Sequence, residues 1–464
     1  MCYTDRGVIN VQREIMDKLI QWKDSKRRKP LLLTGVRQCG KTFVLKEFGE
    51  RYFDNTVYLN FEENERLAQL FEYNFDTVRI LREITLTRKE TITPGKTLLI
   101  LDEIQECPRA ITALKYFCEN QKELHVACAG SLLGVALKRE NFSFPVGKVN
   151  RLQMYPLNFR EFLMANGSEE YLELLKAWPT DRPIPALYTE PLTRCLKEYY
   201  AVGGMPEAVK EWCDSHDISV VEEIQDEILR DYADDFAKHA PVTQIEKIRW
   251  IWDSVPIQLG KENNKFVFSH VKKGKRAAEL EDALQWLRDA GLITQLELVE
   301  KPELPLSSVA DATYFKVYLS DLGLLRRKSG LSFQTILDED ALFMRYKGSL
   351  AENYVLNELL TQGEQVFFWR SDNTAEIDIL MESDGRIIPM EVKSADNTRA
   401  KSYHEFCKRY SLDVGYKISM KNIGESMIEW TRTISLPLYL VWNWKRYLQM
   451  HNNWDGEAFD SQNK

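Results

Sequence analysis

Short apolar runs alternate with helical stretches through the first 165 residues of the chain. The apolar runs predict four buried strands, and apolar residues at helical spacing between them predict three helices. Strands that alternate with helices are typical of a parallel sheet covered by helices on both faces. We therefore predict an α/β domain over residues 1–165, with strands at Pro30–Thr34, Thr56–Phe61, Thr97–Leu101 and Leu124–Ala129 and helices at Lys41–Arg51, Asn74–Arg88 and Arg109–Asn120.

The pattern changes three times beyond residue 165. Residues 166–245 are charged and carry apolar positions at helical spacing, which predicts a helical domain. Residues 246–330 contain two helical stretches followed by two alternating stretches, an order typical of the winged helix, a helix-turn-helix variant. Residues 340–450 form a further α/β unit, for which we predict a helix near Ser349–Leu360, a strand at Gln365–Arg370 and a hairpin within Glu376–Ser394.

Composition and charge exclude several classes of protein. With 464 residues, 44% hydrophobic and 28% charged, the chain has the composition of a globular protein of several domains and not of a disordered or collagen-like one. The net charge of −8 gives no overall basic surface for nucleic acid, although a local patch can still form. No apolar run approaches the roughly 18 residues of a membrane helix, so we expect no membrane contact. The N-terminus does not begin as a signal peptide and the eight cysteines form no CxxC pair, which favours a cytoplasmic setting.

A phosphate-binding loop follows the first predicted strand. The segment Gly-Val-Arg-Gln-Cys-Gly-Lys-Thr fits the pattern GxxxxGK[ST] and stands between a strand and a helix, as that loop requires. Lys41 would neutralise the β- and γ-phosphates of ATP, and the Thr42 hydroxyl would ligate Mg²⁺. The backbone N–H groups that would surround the phosphates, at the positive end of the following helix, belong to Gly35, Val36, Arg37, Gln38, Cys39 and Gly40.

An acidic pair ends the third predicted strand. In the run Leu-Leu-Ile-Leu-Asp-Glu, Asp102 would hold Mg²⁺ through water, and Glu103 would orient and deprotonate the attacking water. The next strand ends at Ser131, where a polar side chain either senses the γ-phosphate or caps a helix. These residues complete a predicted site for ATP and Mg²⁺.

Five spaced motifs occur in order along the chain, namely the phosphate loop, Asp102–Gln105, Ala129–Ser131, Tyr155–Phe162 and Gly203–Glu207. Together they resemble one family, the prokaryotic AAA+-like ATPases of signal-transduction type that end in a domain of unknown function related to PD-(D/E)XK nucleases. The resemblance implies a P-loop NTPase sheet, a helical lid and a C-terminal α/β nuclease-like domain, to which the pattern of residues 246–330 adds the winged helix. It also implies an ATP site between sheet and lid, approached by the Gly-Met-Pro turn that contains Pro206, unless that turn is a plain connection between helices.

The chain departs from this family at one basic position. Members of that family usually carry Gly-Arg before the Pro-Leu-x-Phe motif, whereas this chain has Gly147-Lys148. Lysine is a point charge and lacks the planar fork of arginine, so the identity of any arginine finger stays open. Arg37, Arg139 and Arg151 are the candidates, and the sequence leaves open whether a neighbouring copy in a homo-oligomer supplies the finger.

The predicted winged helix contains a basic cluster ahead of its last helix. The cluster could contact nucleic-acid phosphates, but three acidic residues on the same helix would repel a DNA backbone. Two interpretations therefore stand, DNA contact and packing within the protein or against a partner. The basic residues are Lys272, Lys273, Lys275 and Arg276, and the acidic ones are Glu279, Glu281 and Asp282.

A second candidate site lies in the predicted C-terminal hairpin. If Asp384-Gly385 forms the type I′ turn that its sequence favours, counting outward places Asp378 opposite Glu391, with Cβ atoms about 5 Å apart. Lys393 then points to the same face. Two facing carboxylates repel unless a cation lies between them, and oxygen ligands favour Mg²⁺ or Mn²⁺.

These C-terminal residues match the PD-(D/E)XK pattern, with Glu352 as the additional acidic residue on the preceding helix. Lys393 would stabilise charge on the attacked phosphate or activate water. Three alternatives remain: cleavage of phosphodiesters, binding of nucleic acid without cleavage, and a structural cluster in which Lys393 only bridges the two acids. The sequence thus predicts an ATPase that couples its nucleotide state to a nuclease-like domain, or else a nucleotide-gated binding or scaffold switch.

Overall fold

The computed structural model describes residues 13–136, 144–261, 264–337, 344–371, 375–394 and 401–448. The chain forms two compact units, and neither is a continuous segment. The first comprises residues 1–168, 197–295 and 316–340, and the second comprises residues 169–196, 296–315 and 341–464. This division is coarser than the four consecutive domains that the sequence predicts. None of the helices in these ranges combines the length and apolar composition that a membrane-spanning helix needs.

The strands and helices are numbered in chain order. The strands are β1 (Leu31–Gly35), β2 (Asn55–Asn60), β3 (Thr97–Asp102), β4 (His125–Ala129), β5 (Asn150–Met154), β6 (Ile293–Val299), β7 (Ala310–Leu319), β8 (Val366–Arg370), β9 (Glu376–Ser383), β10 (Arg386–Val392), β11 (Val414–Ser419), β12 (Gly424–Ile428) and β13 (Thr431–Pro437). The helices are α1 (Ile15–Asp24), α2 (Lys41–Tyr52), α3 (Thr77–Arg88), α4 (Pro108–Asn120), α5 (Leu133–Ala136), α6 (Phe159–Ala165), α7 (Glu169–Ala177), α8 (Ala186–Val202), α9 (Pro206–Ser215), α10 (Ile218–His239), α11 (Val242–Leu259), α12 (Phe268–Val271), α13 (Ala277–Asp289), α14 (Leu322–Lys328), α15 (Phe333–Leu337), α16 (Met344–Thr361), α17 (Lys401–Tyr410) and α18 (Trp444–Leu448).

A five-stranded parallel sheet in the order β2-β3-β4-β1-β5 forms the centre of the first unit. The predicted parallel sheet is therefore confirmed. All six residues of β3 are buried, which explains why this strand is a nearly continuous apolar run. The sequence did not predict β5, because at the sheet edge its residues alternate between exposed and partly buried positions and lack such a run.

A hydrophobic core forms between the sheet and the helices α3 and α4. It includes Val57 and Leu59 of β2, Leu99 and Leu101 of β3, and Leu114 of α4, none of which has solvent-exposed surface. Proline at the first position of α4 suits a helix start, because the N–H that it lacks has no partner within the helix. This packing holds the carboxyl ends of the strands, and the residues that follow them, at one edge of the sheet.

The helices α11, α12 and α13, one more than the two predicted, are followed by the strands β6 and β7, so helices precede strands as predicted. The two strands are neighbours in a wider sheet, because β6 also pairs in parallel with β8 through Leu298 and Phe368. The boundaries between the two compact units fall within β6, β7 and α8. The identification of this segment as a winged helix stays a prediction.

The second unit is built on a mixed sheet in which the strand order is β12-β13-β11-β10-β9-β8-β6-β7. Its core contains the aromatic cluster of Trp369, Phe406 and Tyr410, with ring centroids 4.8 to 5.7 Å apart. The sheet carries the predicted hairpin as β9 and β10. A separate C-terminal α/β unit therefore exists, and its relation to nucleases stays a proposal.

The β9–β10 hairpin has the predicted register. Ser383 pairs with Arg386, and the antiparallel pairing continues outward to Ile379 and Met390. The two turn residues have φ values of 51° and 72°, as the type I′ turn requires. The next opposed positions outward are those of Asp378 and Glu391.

Candidate functional site

The predicted phosphate loop lies at the carboxyl end of β1. Gly40 has a φ of 94°, which glycine adopts without the steric cost that a Cβ atom would bring. Gly35 lies so close to β5 that an added Cβ atom would be 2.3 Å from the Met154 carbonyl oxygen. The buried Lys41 ammonium donates to the carbonyl oxygens of Gly35 at 2.9 Å and Val36 at 2.8 Å. Two carbonyl oxygens of the loop thus hold the Lys41 ammonium in place.

Asp102 ends β3 beside this loop. Its Oδ2 accepts hydrogen bonds from Thr42 Oγ1 at 2.7 Å and from the Tyr58 hydroxyl at 2.8 Å. Burial raises the pKa of Asp102, and the hydrogen bonds from Thr42 and Tyr58 oppose that rise. A hydroxyl and a carboxylate form the hard oxygen set that Mg²⁺ prefers, so Thr42 and Asp102 fit this ion.

Glu103 and Ser131 are hydrogen-bonded to each other. Ser131 Oγ donates to Glu103 Oε1 at 3.0 Å, and Gln105 Nε2 donates to Glu103 Oε2 at 2.6 Å. Glu103 has φ 48° and ψ 45°, a left-handed conformation that is uncommon for a residue with a side chain and is typical of functional sites. The structure therefore brings the predicted catalytic carboxylate and the predicted phosphate sensor together.

The long helix α10 contacts the tip of the phosphate loop. Asp235 accepts a hydrogen bond from Arg37 Nη1 at 2.6 Å, and Asp231 accepts one from Gln38 Nε2 at 2.6 Å. The Tyr232 hydroxyl donates to the carbonyl oxygen of Arg37 at 3.0 Å. Burial raises the pKa of Asp235 to about 6, although Arg37 acts in the opposite direction. The tip of the phosphate loop is therefore joined to α10 by these three hydrogen bonds.

Two turns and a buried arginine also reach the loop. A Cβ atom added at Gly40 would lie 3.5 Å from Pro206 Cγ, and one added at Gly291 would lie 3.5 Å from the Val36 nitrogen. Arg13 Nη1 donates to the Cys39 carbonyl oxygen at 2.9 Å. The turn that contains Pro206 therefore lies beside the phosphate loop, and its approach to a nucleotide stays a prediction.

The arginine-finger candidates differ in their surroundings. Arg37 is paired with Asp235 at 2.6 Å, and Lys148 forms an exposed ion pair with Glu119 at 2.9 Å. Arg151 is exposed on the edge strand β5. Its side chain also lines a cavity of about 340 Å³ that extends to Gly35, Ser131, Arg288 and Gly291. Arg139 lies outside the described residues.

The basic cluster before α13 makes local contacts. Lys275 pairs with Glu279 at 2.7 Å, and Lys272 lies 4.8 Å from the centre of the Trp250 ring. Glu279 also accepts a hydrogen bond from the Arg276 N–H, as in a capping box. These contacts favour the interpretation that the cluster serves packing within the protein, and DNA contact stays a prediction.

The C-terminal acids lie where the hairpin register predicts. Lys393 Nζ is 2.6 Å from Glu391 Oε1 and 4.0 Å from Asp378 Oδ2. Asp378 Oδ2 also accepts a hydrogen bond from the Val392 N–H at 2.8 Å. Burial raises the pKa of Glu391, and Lys393 opposes that rise. Burial alone would lower the pKa of Lys393, but Asp378 and Glu391 raise it above its ordinary value.

The predicted metal ligands Glu352, Asp378 and Glu391 do not form a three-residue metal group. Within the described ranges no three histidine, cysteine, aspartate or glutamate side chains converge in this way. Glu352 acts on Glu391 through its charge and raises the pKa of that carboxyl, a smaller effect than burial. Glu391 Oε2 is buried, and no hydrogen-bond donor among the described residues reaches it. An acid pair with an unsatisfied oxygen fits one divalent cation that takes its other ligands from water or a substrate.

Several contacts of the two sites were not predicted. Tyr58 holds Asp102, and Arg13 holds the loop at Cys39, yet no local motif contains either residue. The α10 contacts join residues far apart in the sequence, since Asp235 is 198 positions from Arg37 of the loop, so no local pattern reveals them. Gln105 belongs to the Asp-Glu-Ile-Gln motif, and its place two residues after Glu103 was the one available signal.

Comparison with protein families identifies the sheet domain. Residues 27–163 match the family model described as an AAA domain. This stretch is therefore similar to AAA domains, and its phosphate loop and parallel sheet have the P-loop NTPase fold. Residues 193–335 match a domain of unknown function, DUF8612, and residues 347–439 match another, DUF4143. A search of curated proteins found none with significant similarity to the chain.

Several solved structures share a distant overall similarity. A Walker-type ATPase of Pyrococcus abyssi is 14% identical, with a TM-score of 0.43, and the match covers 69% of this chain and 96% of that one. The ORC1 protein of Aeropyrum pernix in complex with DNA is 14% identical, with a TM-score of 0.28, over 70% of this chain and 93% of that one. Because both TM-scores are below 0.5, the similarity carries no assignment of activity or partner.

Proposed function

We propose that the chain binds and hydrolyses ATP and uses its nucleotide state to control its C-terminal α/β unit. The observation that carries the proposal is the set of contacts at the sheet edge, where Thr42 reaches Asp102 and Ser131 reaches Glu103. Three groups with roles in ATP hydrolysis lie at this one edge. Lys41 is buried, Asp102 accepts hydrogen bonds from two hydroxyl groups, and Glu103 has a left-handed backbone conformation.

Each of these residues has a role in the proposed reaction. Lys41 would neutralise the β- and γ-phosphates, and the loop N–H groups would bind their oxygens. Thr42 and Asp102 would hold Mg²⁺, which neutralises phosphate charge when bound. Glu103 would orient and deprotonate the attacking water, since a carboxylate that already accepts from Ser131 and Gln105 has lone pairs left to accept from water.

Substitution of Lys41 tests the binding step. We expect Lys41→Ala to weaken ATP binding at least about tenfold, because hydrogen bonds to charged groups contribute about 1.5–3 kcal/mol and 1.4 kcal/mol is tenfold. Titration with a fluorescent ATP analogue measures this change. The exposed Lys115→Ala on α4 is the control and should bind like the wild type. Equal affinity in Lys41→Ala and the wild type would contradict the proposal.

Arg151 is the best candidate for an arginine finger that reaches the ATP site of a neighbouring copy, because its side chain is exposed. We expect Arg151→Ala to lower kcat by about 10³, by analogy with other arginine fingers, while ATP affinity stays unchanged. In the wild type, turnover per molecule should rise with protein concentration. Arg37→Ala is the comparison, since it removes the partner of Asp235 and should also alter affinity. An unchanged kcat in Arg151→Ala would leave Arg37 and Arg139 as candidates, and after them Lys148 or a slow switch without a finger.

The C-terminal unit is proposed as the output, with metal-dependent cleavage of nucleic acid as its activity. The supporting observation is the acid pair of Asp378 and Glu391 with Lys393 beside it on the β9–β10 hairpin. Binding of nucleic acid without cleavage is the alternative, favoured by the lack of a three-acid metal group in the described residues. The contacts of α10 and Gly291 with the phosphate loop support nucleotide control, because both lie outside the AAA-like segment of residues 27–163 and would respond to a change in the loop.

A further inference from the structure

A buried carboxylate joins two distant segments of the first unit. Asp321 is only 3% exposed and stands at the N-cap of α14, where its Oδ1 accepts the Leu324 N–H at 2.9 Å. Its Oδ2 accepts the Gly204 N–H at 2.7 Å, 117 residues away. Asp321 Oδ1 therefore caps α14, and Asp321 Oδ2 binds the turn before α9.

That turn is the one that reaches the phosphate loop. It runs through residues 203–206 and ends at Pro206, which lies against Gly40. The Gly204 carbonyl oxygen accepts the Leu157 N–H at 2.7 Å, and the Leu157 carbonyl oxygen accepts the Tyr199 hydroxyl at 2.6 Å. The turn is therefore held from two sides, by the segment after β5 and by Asp321.

The backbone of the turn packs closely against this carboxylate and against Leu157. A Cβ atom added at Gly203 would lie 2.4 Å from Asp321 Oδ1, and one added at Gly204 would lie 2.1 Å from the Leu157 carbonyl oxygen. Real Cβ atoms do not make such contacts, so Gly203 allows the backbone to pack against the carboxylate and Gly204 allows it to pack against Leu157. Because Gly203 packs directly against this carboxylate, we expect loss of the Asp321 contact to increase the mobility of the turn.

We propose that Asp321 is a positioning residue for nucleotide binding, which holds the turn of residues 203–206 against the phosphate loop. The proposal rests on the proposed binding of ATP. Asp321 itself does not touch the loop and acts through Gly204 and Pro206. Loss of the contact would release the turn and lower the affinity for the nucleotide, without changing the residues that perform hydrolysis.

The charge of Asp321 supports this role. Burial raises the pKa of Asp321 to about 6, and hydrogen bonds from Leu324, Gly204 and Gly323 oppose that rise. The carboxyl is therefore ionised at neutral pH and accepts only. Tyr232 faces it from α10, and the charge of Asp321 adds to burial in raising the pKa of that hydroxyl.

Asp321→Asn separates the proposed role from helix capping. Asparagine is as good an N-cap as aspartate, so its Oδ1 can keep the bond to Leu324. Its Nδ2 carries hydrogens and cannot accept from the Gly204 N–H, so only the contact with the turn is lost. Asp217→Asn is the matched control, because Asp217 caps α10 at an exposed position and has no contact with the turn in the described structure.

The experiment has two readouts at pH 7.5. Amide hydrogen exchange without nucleotide should rise across residues 203–209 in Asp321→Asn and stay at the wild-type level in Asp217→Asn. The Kd for a fluorescent ATP analogue should rise about tenfold in Asp321→Asn, while kcat at saturating ATP stays within about twofold. Tyr199→Phe, which removes one hydroxyl from the other side of the turn, should change both readouts in the same direction and less strongly.

The outcomes are distinguishable. Unchanged exchange in the turn, or a Kd equal to that of Asp217→Asn, would overturn the proposal. A fall in kcat with an unchanged Kd would also overturn it, since a merely structural defect reduces the active fraction without altering affinity. A wild-type chain that binds no ATP would overturn the proposed function, and the exchange result would still decide whether Asp321 holds the turn.

Discussion

Glu103→Gln is expected to bind ATP with wild-type affinity and to hydrolyse it at least about a hundredfold more slowly, the lower range for loss of a general base. Glutamine has the size of glutamate and can still accept a hydrogen bond from Ser131 through its carbonyl oxygen. It cannot take a proton from the attacking water. The loss should therefore fall on kcat and leave the Kd for ATP in place, because the carboxylate acts mainly in the transition state.

The hydrogen bonds that Glu103 accepts allow a second substitution to test the same role. Ser131→Ala removes the hydroxyl that donates to Glu103 Oε1, and should lower kcat less than Glu103→Gln does, because the Gln105 contact keeps the carboxylate near its place. Glu106→Gln, three residues further on, is the matched control and should behave like the wild type. Steady-state phosphate release and ATP-analogue titration measure the two quantities. A kcat for Glu103→Gln within a few-fold of the wild type would contradict the assignment of the general base.

The parts of the molecule that the sequence predicted are those determined by local patterns. The phosphate loop was recognisable because a strand, a glycine-containing loop and a helix follow one another within Leu31–Tyr52. The C-terminal register followed from one two-residue turn, since each step outward from Asp384 and Gly385 is determined by the pairing of the strands.

The remaining features depend on contacts between distant residues. Asp235 and Arg37 are 198 positions apart, and Asp321 and Gly204 are 117 apart, so neither pair belongs to a common motif. In each pair a buried carboxylate meets a group on a different element, which only the packing of the elements determines. The division into two units is likewise a property of the packing, because the boundaries interrupt β6, β7 and α8.

The C-terminal acid pair is expected to bind a divalent cation in competition with Lys393. At 2.6 Å from Glu391 Oε1, the Lys393 ammonium lies where a cation would bind. Mg²⁺ or Mn²⁺ should stabilise the wild type, because a ligand bound only to the folded form adds RT ln(1 + [L]/Kd), about 2.7 kcal/mol at a hundred times Kd. Thermal unfolding at several metal concentrations measures this stabilisation.

Two substitutions separate binding from cleavage. Asp378→Asn keeps an acceptor for the Val392 N–H but loses a charge, so it should remove most of the stabilisation by metal and abolish metal-dependent cleavage of nucleic acid. Lys393→Ala should bind metal at least as tightly as the wild type, since the competing ammonium is gone, yet cleave at least about a hundredfold more slowly, the lower range for one catalytic group. Without metal it should be less stable, because Glu391 is then buried without a cation.

Asp384→Asn is the matched control for Asp378→Asn. It also replaces aspartate with asparagine in the β9–β10 hairpin, but at a turn position that asparagine favours. It should match the wild type in metal stabilisation and in cleavage of single- and double-stranded oligonucleotides, with and without ATP. Cleavage that persists in both Asp378→Asn and Lys393→Ala would remove the activity from this hairpin. Stabilisation by metal without cleavage in any nucleotide state would instead identify the second unit as a binding module, in which Lys393 and the cation exchange at Glu391.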